Sequence, residues 1–190
     1  MARHSLREDI IEAALEQFHS YGFNAAGVKD ITDRAGVPKG SFYNHFPSKE
    51  ALAVVALERY AERSRMEVLA DRSVAPLERL RIHFELLRAE LEEHEFARGC
   101  LIGNLGAEVA DHSDILRAAV EQSLARWAEL MAETLAEAQR AGSLRAGLDP
   151  QATAWFVLSA WEGTLISARA NRSGAAFDTF FDLVFGTLLT

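Results

Sequence analysis

The sequence predicts an all-α fold of about nine helices. Three features carry that expectation. Apolar residues recur at steps of three and four along most of the chain, no segment alternates apolar and polar side chains as a half-buried strand does, and capping residues precede several of the apolar runs.

Ser5, with Glu8 three residues later, is a capping box, and Leu6, Ile10, Ala14 and Phe18, flanked by Ile11 and Leu15, form one apolar stripe. Gly22 is placed to stop this first helix in the left-handed conformation. A short second helix starts near Val28, turns Ile31 and Ala35 inward and ends at Gly36. Val37-Pro38 turns the chain and presets a third helix over 39–46, which Pro47 stops. Ser48 caps a fourth helix reaching about residue 70, with Leu52, Val55, Ala56 and Tyr60 inward. Pro76 opens a fifth, carrying Leu77, Leu80, Phe84, Leu87 and Leu91. Gly99 interrupts the chain before a sixth helix from Leu101 to Val109, and Ser113 caps a seventh that reaches Ala141. Asp149-Pro150 caps and opens an eighth helix ending near Arg172. Ser173-Gly174 separates it from a ninth with Phe177, Phe180, Phe181, Val184, Phe185 and Leu188.

At 190 residues, 49% hydrophobic, the chain is long enough for one sizeable core or for a small domain attached to a larger one. No apolar run approaches the ~20 residues needed to span a bilayer, and the N-terminus lacks the apolar stretch of a signal peptide. A single cysteine, Cys100, excludes an intramolecular disulfide framework, so a cytoplasmic location is expected. The net charge of −8 argues against bulk electrostatic coating of nucleic acid. The charge is uneven, however. Residues 1–50 sum to −1 and contain every lysine of the chain, Lys29, Lys39 and Lys49.

The third helix is too short and too polar to serve a core. Ser41, Tyr43, Asn44 and His45, with Lys39 and Lys49 flanking, suit a helix presented to a partner. With the second helix and the turn at Gly36-Val37 it forms a helix-turn-helix, in which Ala35, Val37 and Phe42 fit the inner positions. A segment that only packs two domains together would be the plainer reading.

Gly22-Phe23, then Val28-Lys29-Asp30-Ile31, then the unbroken run from Ala35 to Leu52 resemble the DNA-binding signature of the TetR family of repressors. The resemblance implies a homodimer that holds a palindromic double-stranded operator and releases it on binding a small molecule. It implies a DNA-binding domain over 1–48 and an effector-binding and dimerisation domain over 49–190. By the same resemblance Ser41 sits at a base-reading position, Lys39, Tyr43, His45 and Lys49 mostly touch the backbone, and Gly40 allows close approach. Asn44 has the donor and acceptor that adenine recognition requires. Where the family often carries a hydroxyl residue before the second helix, this chain has Ala26-Gly27, so a phosphate there would fall to backbone N–H groups.

In the larger part, the resemblance implies that the last two helices pair with their twins. Ser159 and Gly163, four residues apart, allow close helix approach, and Phe177, Phe181 and Phe185 offer more aromatic surface than one helix face usually buries. The same residues could instead fill the protomer core. The run from Arg98 to Glu108 is similar to a Gly-Cys-Leu-x-x-Asn segment in a TetR branch that includes electrophile- and redox-responsive repressors. Cys100, at a helix start beside Arg98, is therefore a candidate sensor as well as a candidate core residue. Asn104, Leu105, Tyr60, Phe84, Trp127 and Trp155 are the further effector candidates, and the tryptophans suggest an apolar or aromatic ligand. The histidines lack metal-ligand spacing, and no nucleophile elbow, phosphate loop or paired acid and base appears, so neither a metal, a cofactor nor catalysis is expected. The competing expectation to a ligand-responsive repressor is a helical small-molecule carrier with a vestigial DNA-binding unit.

Overall fold

The computed structural model describes residues 5–190. They form ten α-helices and a closing π-helical turn, with no strand among the described residues. The helices are α1 (Leu6–Tyr21), α2 (Val28–Arg34), α3 (Lys39–Phe42), α4 (Lys49–Arg63), α5 (Glu67–Ala70), α6 (Pro76–Glu93), α7 (Leu101–Val109), α8 (Asp114–Arg140), α9 (Pro150–Asn171) and α10 (Ala175–Leu183). The π-helical turn is Val184–Leu188, closed by Leu189 N–H on the Val184 carbonyl at 2.9 Å.

The caps read from the sequence form. Ser5 Oγ accepts from Glu8 N–H at 3.3 Å, Ser48 Oγ from Ala51 at 3.1 Å, Ser113 Oγ from Leu116 at 3.4 Å and Asp149 Oδ1 from Ala152 at 2.9 Å. Two elements differ. The expected fourth helix does not continue to residue 70, because Arg65 adopts a left-handed φ of 59° and α5 restarts at Glu67. The Arg65 carbonyl, which accepts Val68 N–H at 3.2 Å, is also met by Nδ1 of His83 on α6 at 3.1 Å, a partner eighteen residues away. The third helix is four residues long, followed by tight turns in which Asn44 and His45 N–H reach the carbonyls of Ser41 and Phe42. Phe46 N–H still reaches the Phe42 carbonyl at 2.9 Å before Pro47.

The chain divides into two compact units, one made of residues up to Glu62 with Cys100–Ser123, the other of Arg63–Gly99 with Leu124–Thr190. In the first, Ile10, Ile11, Ala14 and Phe18 of α1 are buried with Ile31, Phe42, Phe46, Leu52 and Ala56. Arg59 of α4 reaches back to Glu8 at 2.9 Å and Glu12 at 3.0 Å of α1, and Arg34 of α2 pairs with Glu16.

The second unit is built on aromatic side chains. Phe84 of α6 lies 4.9 Å from Trp161 and 5.1 Å from Phe180, ring centre to ring centre, and Trp161 lies 5.2 Å from Phe177. Fully burying each such ring is worth roughly 1.5–3 kcal/mol. The Arg88 guanidinium stands over Phe177 at 5.5 Å and that of Arg81 over Phe181 at 5.7 Å. Two roles were open for the α10 rings, and burial within the protomer is the one that the described residues display. Phe177 and Phe181 are buried within the single chain, and Phe185 is half-buried and stacked on Phe181 at 5.7 Å, so these rings fill the protomer core. The rings of α6 and α9 supply that cover, Phe84 against Phe180 and Trp161 against Phe177.

Candidate nucleic-acid interface

The chain turns between α2 and α3 at Gly36, whose φ of +68° only glycine adopts without strain. Gly36 N–H donates to the Asp33 carbonyl at 3.1 Å and Val37 N–H to the Thr32 carbonyl at 3.0 Å, which closes α2. Pro38 then stands at the N-cap of α3, and its carbonyl accepts from Ser41 N–H at 2.8 Å. Phe42 and Phe46 are buried with ring centres 5.9 Å apart and anchor the short helix from within.

The rest of α3 and the turns that follow it are mostly exposed. Lys39, Gly40, Tyr43, Asn44 and His45 are exposed, and Ser41 is half-buried. A side chain added at Gly40 would meet nothing within 4 Å, so backbone is open to a close partner there. Tyr43 is 60% exposed, its ring held edge-on by Phe42 at 5.0 Å. Among the described residues the side chains of Lys39, Tyr43, Asn44 and His45 have no hydrogen-bond partner. Their donors and acceptors remain available on a surface that two buried phenylalanines hold in place.

Two cations expected or available near this face are engaged within the chain. Lys29 pairs with Asp33 one turn on, and that hydrogen bond and charge raise its pKa. Lys49 donates to the carbonyls of Phe23 at 2.7 Å and Ala26 at 3.1 Å, and its ammonium lies 4.1 Å from the centre of the Phe23 ring. Burial pulls its pKa below the ordinary lysine value, against the opposing pull of Glu108 and Glu50. Lys49 thus ties the start of α4 to the turn between α1 and α2. At the start of α2, Asp30 accepts the Gly27 N–H at 3.1 Å, which places a carboxylate where backbone N–H groups were expected to meet phosphate.

The effector candidates divide between the two units. Cys100, at 6% exposure, is the N-cap residue of α7, Asn104 is half-buried in that helix and Leu105 is buried. Tyr60 of α4 packs edge-on against His19 at 5.3 Å. In the second unit Phe84 and Trp127 are buried, and Trp127 donates its indole N–H to His83 at 3.0 Å. Trp155, at 38% exposure, lies on the outer side of α9, which removes it from the buried set.

That outer side is continuous. Ala152, Trp155, Phe156, Ser159, Gly163, Ile166, Ser167 and Ala170 are all exposed at steps of three and four, and none is charged. Phe156 is 62% and Ile166 67% exposed. A groove of about 320 Å³ lined by Arg145, Phe156, Leu183, Val184, Thr187 and Leu188 adjoins the stripe. Among the described residues no group of His, Cys, Asp and Glu is arranged to hold a metal ion, and no helix is long and apolar enough to cross a membrane. The sequence reading missed Glu108, whose carboxylate accepts from backbone N–H groups more than eighty residues earlier. No local pattern announces such a contact.

Comparison with known proteins agrees with this geometry. Residues 10–56 match the family described as "Bacterial regulatory proteins, tetR family", and residues 76–184 match "Tetracyclin repressor-like, C-terminal domain". The chain is similar to the HTH-type transcriptional repressor DhaR of Mycobacterium sp. (strain GP1), 34% identical over 192 residues covering 100% of this chain and 95% of that protein. It is 38% identical over 165 residues to the transcriptional regulator AcuR of Cereibacter sphaeroides, covering 85% of this chain and 75% of that one. Among solved structures, a regulatory protein TetR from Rhodobacter sphaeroides superposes with a TM-score of 0.89 at 35% identity, covering 98% of this chain and 100% of that one. The reduced form of NemR from E. coli superposes with a TM-score of 0.86 at 26% identity, covering 96% and 97%.

Proposed function

This chain belongs to the TetR family of transcriptional regulators, and from that premise we propose that it is a homodimeric repressor released from a palindromic operator by a small-molecule effector. The observation that carries the reading is the outward face of α3 and the turns after it, where Lys39, Tyr43, Asn44 and His45 stand exposed on the buried pair Phe42 and Phe46. One such helix reads half an operator, so a second copy is required for a full site. The uncharged, exposed stripe of α9 supports a partner helix there, with Ser159 and Gly163 at its centre allowing close backbone approach. A side chain added at Gly163 would meet nothing within 4 Å of the same chain. The effector acts as a population shift, binding better to a dimer whose recognition helices no longer match the half-site spacing.

The chemistry of that effector centres on α7. An N-cap cysteine sits in the positive end of the helix field, which favours its thiolate and so its reaction with electrophiles or oxidants. A relative solved in a reduced form supports the same reading. The burial of Cys100 favours the alternative, a small side chain packing the helix start. The repressor reading is tested by selecting duplexes from a randomised pool and measuring binding by gel shift. A repressor selects a palindrome, and a protein that enriches no sequence is not one. The thiol reading is tested with Cys100→Ser on the selected duplex. Loss of release by quinones, aldehydes or peroxide supports it, and retained release defeats it.

A further inference from the structure

The six residues between α1 and α2 have no regular secondary structure, so their backbone groups need partners from elsewhere. Two charged side chains of opposite sign supply four of them. The Glu108 carboxylate of α7 accepts Phe23 N–H on one oxygen at 2.8 Å and Asn24 N–H on the other at 2.7 Å. From α4, the Lys49 ammonium donates to the carbonyls of Phe23 and Ala26 at 2.7 and 3.1 Å. The turn is therefore held on its donor side by an anion and on its acceptor side by a cation.

Gly22 completes the fit. Its φ is +83°, and a Cβ there would stand 2.7 Å from the nearer Glu108 oxygen, so the close approach of the carboxylate requires glycine. Gly22 and Lys49 lie within the stretch that matches the DNA-binding family description, residues 10–56. Glu108 lies far outside it, yet Cys100–Ser123 belongs to the same compact unit.

We propose that Glu108 is a positioning residue for DNA binding: by fixing the Phe23 and Asn24 N–H groups of the turn that feeds α2, it sets the direction in which α2 and α3 are presented to DNA. Glu108 does not touch DNA in this arrangement. It makes the helix-turn-helix read the position of α7. Two hydrogen bonds of 2.7 and 2.8 Å weaken together when their acceptor moves by about 1 Å, which takes both past ordinary hydrogen-bond length. Building on the effector reading above, α7 then carries Cys100 at its first end and the grip on the turn at its last.

The test compares wild type with Glu108→Ala and Glu108→Gln on the duplex that wild type selects from a randomised pool, alongside amide hydrogen exchange. Glutamine keeps the size of the side chain but presents one oxygen and one NH2, so either Phe23 or Asn24 N–H is left facing a donor. A lost charge-assisted hydrogen bond is worth about a tenfold change in an equilibrium constant, so both variants are expected to bind the duplex about tenfold or more weakly. Faster exchange is expected at Phe23 and Asn24, with the amides of α6 and α9 unchanged. Binding within twofold of wild type in Glu108→Gln overturns the proposal, as does weakened binding without any change in exchange at Phe23 and Asn24. Where Glu108→Ala fails to fold, the isosteric glutamine variant decides alone. A wild-type protein that selects no duplex contradicts the DNA-binding reading itself. A selecting wild type with indifferent Glu108 variants contradicts only the positioning role.

Discussion

Trp127 donates its indole N–H to Nε2 of His83 at 3.0 Å, while Nδ1 of the same buried ring faces the carbonyl oxygen of Arg65 at 3.1 Å. The two partners assign the neutral tautomer with the proton on Nδ1. Burial pushes the pKa of His83 down from 6.5 to about 4, against the opposing effects of the Arg65 carbonyl and Glu67. The unfolded chain then takes up a proton below pH 6.5 that the folded chain refuses until about pH 4, so folding weakens as pH falls through that window. From pH 7.5 to 5.5 the loss attributable to His83 is about 1 kcal/mol. Denaturant midpoints at the two pH values check it, with His83→Gln removing the difference that His83 contributes.

Lys39 stands exposed at the first position of α3 with no ion-pair partner among the described residues. Lys39→Ala is expected to weaken binding of the selected duplex about uniformly across sequences and to reduce the slope of log affinity against log salt by about 1. Gel shifts across a salt series measure both quantities.

Lys49 behaves differently, because its ammonium is committed to two carbonyls and the Phe23 ring. Lys49→Ala is expected to lower stability by about 1–3 kcal/mol through the unsatisfied carbonyls. The salt slope of the binding that remains should be unchanged. A slope reduced by about 1 would instead return Lys49 to the phosphate contacts that the sequence pattern suggested.

The α9 stripe and the α10 rings separate assembly from folding. Gly163→Glu places a carboxylate at the centre of the uncharged exposed stripe and is expected to give folded monomers by sedimentation. Phe177→Ala empties a ring-sized volume between Arg88 and Trp161 and is expected to cost about 3–5 kcal/mol of stability in denaturant melts.

Much of this architecture was legible locally. Ser5, Ser48 and Asp149 cap the helices they precede, and Pro38 opens the presented helix. The outward set on α3 was legible too, since polarity on so short a helix leaves few places to bury it. What local patterns could not supply were contacts between distant segments. The break at Arg65 is met by His83, Glu108 serves a turn more than eighty residues earlier, and Lys49 faces inward because Phe23 and Ala26 come to it. The choice between dimer surface and protomer core for the α10 phenylalanines stayed open for the same reason, since the sequence does not announce that α6 and α9 cover them.

The measurement that bears most directly on the central claim is a footprint of the wild-type protein on its selected duplex, paired with Tyr43→Ala. The face of α3 predicts two protected half-sites with centres one or more helical turns apart, ~34–36 Å per turn, related by a palindrome. It also predicts that Tyr43→Ala, with the ring 60% exposed in the free protein, weakens protection about tenfold with an unchanged melting temperature. A single or sequence-indifferent footprint, or equal protection by Tyr43→Ala, would contradict it.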